Sequence, residues 1–134
     1  MHLLRVAHRV RCEFGLTDPD LTLAALLHDV LEDHPGVSLS EDFGPRVLEL
    51  VRALTNSGDY TAHVLGMLRG PAGPVKLADF MDNALALGQL EPARAKRLRA
   101  KYTPVAAGIL AWLREMPAGH PFRGVEDRIS AQYP

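Results

Sequence analysis

The sequence has a single cysteine, Cys12, few aromatic residues and almost no net charge. One cysteine cannot form a disulfide within the chain, which excludes a disulfide-stabilised secreted scaffold and agrees with a reducing cytoplasm. The net charge is −1, from 15 basic and 16 acidic residues. This balance argues against a nucleic-acid-binding surface, because binding to phosphate backbones depends on an excess of Lys and Arg.

Long apolar segments are also missing, since no run reaches the roughly 20 residues that a membrane-spanning helix needs. The N-terminus carries His2, Arg5, His8, Arg9 and Arg11, so it lacks the uninterrupted apolar region of a signal peptide. We therefore expect a cytoplasmic protein that does not act at a membrane.

The composition favours helices. Aromatic residues make up 6% of the chain and apolar residues 47%, with Ala and Leu dominant, which favours helix packing over a sheet. No stretch alternates polar and apolar residues well enough to predict a strand. Helical apolar stripes are predicted over 2–14, from about Pro19 to Glu32 and over 75–87. The predicted fold class is all-α.

The length of 134 residues predicts one domain spanning 1–134. Its motif-bearing core covers about 2–90, and C-terminal helices follow over about 91–134. A turn is predicted at 56–58. Thr103-Pro104 predicts either a kink in the basic helix that precedes it or the start of a new helix.

The most informative stretch is Leu-Leu-His-Asp-Val-Leu-Glu-Asp, which places four polar side chains in an apolar helix. His28 and Glu32 are four residues apart, and so are Asp29 and Asp33, so each pair shares a helix face. Burying such groups is costly unless something binds them, and a divalent cation is the obvious candidate. The alternative is that they form only the polar edge of a buried helix.

A second apolar helix, over 75–87, also carries polar groups. Asp79 and Asn83 are four residues apart and share a face with Lys76. Asp79 adds a further carboxylate to the candidate site. A mixture of imidazole and carboxylate groups suits a borderline-to-hard ion such as Mn²⁺ better than a thiolate-type zinc site, with other divalent ions as alternatives.

The two motifs, Leu-Leu-His-Asp-Val-Leu-Glu-Asp and, some fifty residues later, Val-Lys-Leu-Ala-Asp-Phe-Met-Asp-Asn, resemble those of the HD-domain metal-dependent phosphohydrolases. The resemblance is closer to their (p)ppGpp hydrolase branch, which comprises RelA/SpoT-type hydrolase domains and small alarmone hydrolases. That branch shows a His-Pro-x-x-Val-Ala start, an HDxxED motif and a Lys-Leu-Ala-Asp-x-x-x-Asn motif. The resemblance covers about residues 2–90 and implies an HD-type helical bundle.

The resemblance implies that the metal ligands are His2, His28, Asp29 and Asp79. His2 matches the first histidine of the family, although Leu3 replaces the proline that follows it. The alternative for His2 is a frayed terminal residue, since chain termini are usually mobile.

The resemblance also implies roles for three further residues, and two basic residues are additional candidates from their charge alone. Glu32 and Asp33 match an acid/base pair that orients and deprotonates a metal-bound water, which attacks the 3′-pyrophosphate. Asn83 matches a residue that hydrogen-bonds the nucleotide. Lys76 either offers its charge to a phosphate or extends from the helix edge to solvent. Arg5 is a candidate phosphate ligand, with a solvated surface position as the alternative.

The chain departs from the family pattern in its recognition groups. The family has a helix and a basic segment before the first histidine, and this sequence begins at Met1. Phe80 stands where a basic residue is usual, Asp82 where His or Tyr is common, and His34 where Thr is usual. Either the native chain starts upstream or the substrate differs from (p)ppGpp.

Three functions therefore remain open. The leading hypothesis is a Mn²⁺-dependent hydrolase of the 3′-pyrophosphate of ppGpp or pppGpp, or of a related nucleotide. The second is an HD phosphohydrolase that acts on another small nucleotide or phosphoester. The third is a non-catalytic HD module that binds a nucleotide or a partner protein. No apolar seam in the sequence predicts an oligomeric state.

Overall fold

A computed structural model of the chain describes residues 1–55 and 58–134, and these residues form an all-α fold that contains no strand. In chain order the helices are α1 (His2–His8), α2 (Pro19–Leu27), α3 (Val30–Asp33), α4 (Pro45–Leu54), α5 (Tyr60–Met67), α6 (Gly73–Ala84), α7 (Pro92–Arg114) and α8 (Val125–Gln132). The shorter segments are a π-helical continuation of α1 over Arg9–Glu13 and two 3₁₀ turns over Glu41–Phe43 and Leu87–Gln89. The predicted fold class is confirmed, and the arrangement fits an HD-type helical domain.

Of the turn predicted at 56–58, residues 56 and 57 lie outside the described residues. Within the described residues, the structure contains no helix with both the length and the apolar character needed to cross a membrane.

Several helix starts follow directly from the sequence. Asp18 caps α2 by accepting a hydrogen bond from the backbone of the first turn, and Pro19 occupies the first helical position. Asp59 caps α5 in the same way. Glu91 caps α7 ahead of Pro92 and accepts two backbone N–H groups. These caps satisfy amide groups that have no partner inside their own helix.

The predicted continuous helix from about Pro19 to Glu32 is wrong near its C-terminal end, since α2 ends before His28 and α3 begins after Asp29. The His28 ring explains the break. Its Nδ1 lies 2.6 Å from the carbonyl oxygen of Ala25. In a continuous helix the N–H of Asp29 would bind that carbonyl. The ring nitrogen replaces the backbone N–H as the donor to Ala25. The helical hydrogen-bond pattern is therefore interrupted where the HD motif begins.

Pro104 lies inside a single helix, α7, rather than at the start of a new one. Proline lacks the N–H that the carbonyl of residue 100 would otherwise bind. Just before it, the Thr103 hydroxyl donates a hydrogen bond to the carbonyl oxygen of Arg99 at 2.7 Å. Because the helix continues past the proline, α7 is long enough to reach both α5 and α8.

Helix α6 lies at the centre of the molecule and packs against α1, α2, α5 and α7. Most of its residues are buried, including Leu77, Phe80 and Met81, which are fully buried apolar side chains. Lys76 and Asp79 are buried on the same helix. The neighbouring helices therefore surround two charged groups that need partners.

The start of α6 depends on a close approach between backbone segments at Gly73. A Cβ atom there would collide with the carbonyl oxygen of Leu68 and would stand 2.9 Å from that of Met67. Because both contacts are backbone atoms, neither can move away cheaply. The position of α6, and with it that of Asp79, relies on a residue without a side chain.

We expect Gly73→Ala to lower the free energy of unfolding by roughly 1–3 kcal/mol, because α6 must shift to admit the methyl group. Gly66→Ala is the matched control, since Gly66 is an exposed position within α5 whose added Cβ would meet nothing within 4 Å. That change should stabilise the protein by about 0.5–1 kcal/mol through helix propensity. Urea denaturation measures both variants, and equal effects of the two changes would contradict the proposed close approach.

Candidate active site

The structure brings the four predicted metal ligands together beside a cavity. His2 Nε2 lies 3.0 Å from Asp79 Oδ1 and 3.7 Å from Asp29 Oδ2. His28 Nε2 lies 3.3 Å from Asp79 Oδ1 and 3.2 Å from Asp29 Oδ1. The two Nε2 atoms are 3.3 Å apart. These side chains come from the start of α1, the break after α2 and the middle of α6.

The spacing of these atoms fits a divalent ion. An ion bound at about 2.1 Å keeps adjacent ligand atoms about 3.0 Å apart in octahedral geometry and about 3.4 Å apart in tetrahedral geometry. The closest separations, those of His28 from Asp29 and those among His2, His28 and Asp79, are 3.0 to 3.3 Å. Two imidazole nitrogens and two carboxylates also form a donor set that borderline divalent ions accept. The residues could therefore hold such an ion.

His28 presents its Nε2 atom to the cluster because its other nitrogen is already engaged. A carbonyl oxygen can only accept a hydrogen bond, so the Nδ1 atom that faces Ala25 must carry a proton. Nε2 is therefore the nitrogen that faces Asp29 and Asp79, and its lone pair can bind a cation whenever this nitrogen carries no proton. Only 2% of the residue's surface is exposed. This arrangement, in which the second ring nitrogen binds a backbone carbonyl, is common among metal-binding histidines.

The charges in the cluster depend on one another. A hydrogen bond with Asp79 raises the pKa of His2 to about 9, and Asp82 adds to the effect against the opposing influence of burial. Burial acts to raise the pKa of Asp79, but hydrogen bonds from His2 and His28 and the charge of Lys76 bring it well below its ordinary range. Without a metal, His2 is therefore protonated, and an incoming cation must displace that proton.

The cavity beside the cluster has a volume of about 230 Å³. Six of the predicted site residues line it: His2, Asp29, Glu32, Lys76, Asp79 and Asn83. Lys76 Nζ donates to Asp79 Oδ2 at 3.2 Å, and Asn83 Nδ2 donates to Asp79 Oδ1 at 3.1 Å. Lys76 is buried, so of the two alternatives for this residue the structure shows an inward orientation, not an extension into solvent.

Three predicted residues differ in their placement. Glu32 is an exposed residue at the edge of the cavity, next to the cluster. Asp33 is also exposed and does not line the cavity; its backbone N–H binds the carbonyl oxygen of Asp29 one helical turn away. Arg5 lies outside this cavity and binds Asp82 through two hydrogen bonds, of 2.8 and 3.1 Å. The predicted roles of Asp33 and Arg5 remain predictions.

Three residues of the cavity were missed in the sequence: Tyr60, Lys101 and Tyr102. Lys101 Nζ lies 4.3 Å from the centre of the Tyr60 ring and 5.7 Å from that of Tyr102. The basic character of residues 94–101 was visible in the sequence, but it is also typical of a solvated helix face. Only the packing of α5 against α7 shows that Lys101 turns toward the site.

Two curated proteins are similar to this chain in sequence. It is 30% identical to the guanosine-3′,5′-bis(diphosphate) 3′-pyrophosphohydrolase of Aquifex aeolicus and 31% identical to the protein of the same name from Haemophilus influenzae. These matches cover 84% and 66% of this chain. The chain is thus similar in sequence to part of two (p)ppGpp 3′-pyrophosphohydrolases.

The chain spans less than a fifth of the length of these relatives, since the aligned regions cover 18% and 16% of them. No family model matches the sequence, and no solved structure matches it. The relationship to the pyrophosphohydrolases therefore rests on these two alignments.

We expect the metal-free protein to lose stability as the pH rises from 6.5 to about 9. Because the pKa of His2 is raised in the folded state to about 9, the stabilisation from its protonated ring is complete below the unfolded pKa of about 6.5 and is lost as the pH passes the folded value. Thermal unfolding in EDTA across this range measures the effect.

His2→Asn should reduce this pH dependence, whereas His8→Asn should retain it, because His8 is exposed at the other end of the same helix. Parallel pH profiles for the wild type and His2→Asn would show that the His2 contacts do not hold in solution.

Proposed function

We propose that this chain is a metal-dependent phosphohydrolase that removes the 3′-pyrophosphate group of ppGpp or pppGpp. The observation that carries the proposal is the convergence of two histidines and two aspartates next to a cavity that Glu32 also lines. The reaction and substrate are those named for the two relatives. Because the chain spans only part of those proteins, we assign their activity to it as a proposal.

We propose Mn²⁺ as the ion, with other divalent ions as alternatives. His2, His28, Asp29 and Asp79 would hold it. When bound, such an ion lowers the pKa of a coordinated water molecule and so makes hydroxide available near neutral pH. Asp79 also binds Lys76 and Asn83, so its carboxylate is fixed before any ion arrives.

Glu32 is the proposed acid/base group. Its side chain is exposed at the edge of the cavity, where a carboxylate can accept a proton from an attacking water and deliver it to a leaving oxygen. Asp33 does not line the cavity, so we assign the direct proton transfer to Glu32 and a supporting role to Asp33.

The cavity suits a phosphate-bearing part of a nucleotide better than a whole nucleotide. Its volume of about 230 Å³ lies below the roughly 300–1,000 Å³ of typical ligand pockets. Lys76, Lys101 and Asn83 line it. We propose that the pyrophosphate enters among these groups and that the nucleoside remains closer to the protein surface.

Lys101 is the residue we assign to phosphate binding. The charge of Lys76 is compensated by Asp79, 3.2 Å away. The described partners of Lys101 Nζ are instead the rings of Tyr60 and Tyr102, which attract a cation without neutralising it. Its positive charge is therefore available to an anion in the cavity.

Glu32→Gln should lower the kcat for pyrophosphate release from ppGpp by about 10²–10⁴-fold, the usual effect of a lost acid/base group. Mn²⁺ affinity should stay close to that of the wild type, because Glu32 is not a proposed ligand. Glu41→Gln is a matched control, since Glu41 is exposed and lies outside the cavity.

The assay measures pyrophosphate release with Mn²⁺ present and with the metal removed by EDTA. If metal-loaded wild-type protein at high concentration releases no pyrophosphate, the proposed substrate is wrong. A panel of other nucleotides and phosphoesters then tests for a different phosphohydrolase activity.

Lys101→Met should raise the KM for ppGpp roughly tenfold, because hydrogen bonds to charged groups contribute about 1.5–3 kcal/mol. The kcat should change less, since Lys101 is not proposed to take part in proton transfer. Lys96→Met removes the same charge from the exposed face of the same helix and should leave KM unchanged. Equal KM values for the two variants would exclude phosphate binding by Lys101.

A further inference from the structure

His2 occupies an unusual position for a ligand, because it begins the first helix only one residue from the N-terminus. Helix α1 has no side-chain cap, and its first turn contains no acidic residue. Terminal turns of this kind fray readily, since their N–H groups have no partners within the helix. Local sequence therefore does not explain why the His2 ring should keep one orientation.

Contacts with α6 supply the missing constraint. Asp82 Oδ2 lies 2.6 Å from His2 Nδ1. Arg5 donates from Nε to Asp82 Oδ1 at 2.8 Å and from its terminal nitrogen to Oδ2 at 3.1 Å. Both oxygens of Asp82 are thus engaged, and only 6% of its side chain is exposed. One buried carboxylate holds two residues from the first and second turns of α1.

We infer that Asp82, supported by Arg5, is a positioning residue that orients His2 as a metal ligand. This inference rests on the proposed metal site. Asp82 accepts a hydrogen bond from Nδ1, so Nε2 is the nitrogen that points toward Asp79 and Asp29. Carboxylates that bind the second nitrogen of a ligating histidine fix both its tautomer and its ring orientation.

The same contacts explain one departure from the family pattern. The resemblance places His or Tyr at position 82, and neither side chain can accept hydrogen bonds from both His2 and Arg5 through two oxygens. Asp82 does so, and it belongs to the same helix as Asp79. Two residues of α6 thus position the cluster. Asp79 belongs to it, and Asp82 orients His2.

A simple ion pair would have different consequences. The Arg5 side chain is 58% exposed, and an exposed ion pair contributes about 0–1 kcal/mol to stability. If Asp82 and Arg5 served only to hold α1 in place, their loss would change thermal stability slightly and metal affinity not at all. Metal affinity therefore separates a positioning role from a structural one.

The experiment measures Mn²⁺ affinity by isothermal titration calorimetry for Asp82→Asn and Arg5→Met. Asp82→Asn keeps the size of the side chain and removes its charge, and we expect affinity to fall 10–100-fold, as for other groups that orient metal ligands. Arg5→Met should give a smaller fall in the same direction. Asp42→Asn and Arg11→Met are the controls, since both residues are exposed and lie outside the active-site cavity.

A second readout does not require the metal. In nitrogen-15 NMR spectra of the metal-free protein, the Nδ1 resonance of His2 should show a hydrogen-bonded proton in the wild type and lose it in Asp82→Asn. If Asp82→Asn fails to fold, Arg5→Met carries the test, because Arg5 is exposed and its replacement leaves the core intact.

Wild-type affinity in folded Asp82→Asn, or in Arg5→Met where only that variant folds, would overturn the inference. A wild-type protein that binds Mn²⁺ but releases no pyrophosphate would refute the proposed substrate and leave this inference standing. A wild-type protein that binds no divalent ion would overturn the metal site and the inference together.

Discussion

The buried carboxylate of Asp79 is the group on which the rest of the structure depends. It is 6% exposed and accepts hydrogen bonds from Lys76 and Asn83 on its own helix while facing His2 and His28 from two others. A carboxylate buried without partners would cost several kcal/mol, so the helices that supply these partners are required around α6. The packing of α1 and α2 on α6 therefore depends on the same residues that form the candidate metal site.

The proton on the His2 ring affects both the stability of the metal-free protein and the binding of a metal ion. In the metal-free molecule the raised pKa of His2 keeps its ring charged, which offsets the negative charge of Asp79 and Asp82. A bound divalent cation would offset the same negative charge, and its binding would release the proton from His2. The cluster is therefore balanced by positive charge in either state.

Part of this organisation could be predicted from the sequence. The all-α class followed from composition and periodicity, and the two polar motifs in apolar helices indicated which residues would meet. The continuous helix through His28 was predicted wrongly, because periodicity describes the spacing of side chains and does not reveal that a ring will bind the carbonyl of Ala25. The break matters for function, since it lies at the candidate ligands His28 and Asp29.

The remaining features depend on tertiary contacts between distant segments. Tyr60 and Lys101 come from helices that meet only in the folded chain, and each is unremarkable in its local sequence. Asp82 stood out in the sequence only as a departure from the family pattern, because its partners His2 and Arg5 lie 80 and 77 residues away. Local patterns thus indicated the centre of the site, whereas the groups that orient it and surround it required the fold.

The most direct test of the proposed metal centre is a crystal structure of the protein grown with Mn²⁺, with diffraction data collected at the manganese absorption edge. We predict one anomalous peak about 2.1 Å from the Nε2 atoms of His2 and His28 and from carboxylate oxygens of Asp29 and Asp79. A peak coordinated by Glu32 and Asp33 instead, or a cluster without any peak in crystals that contain the ion, would contradict the proposed centre.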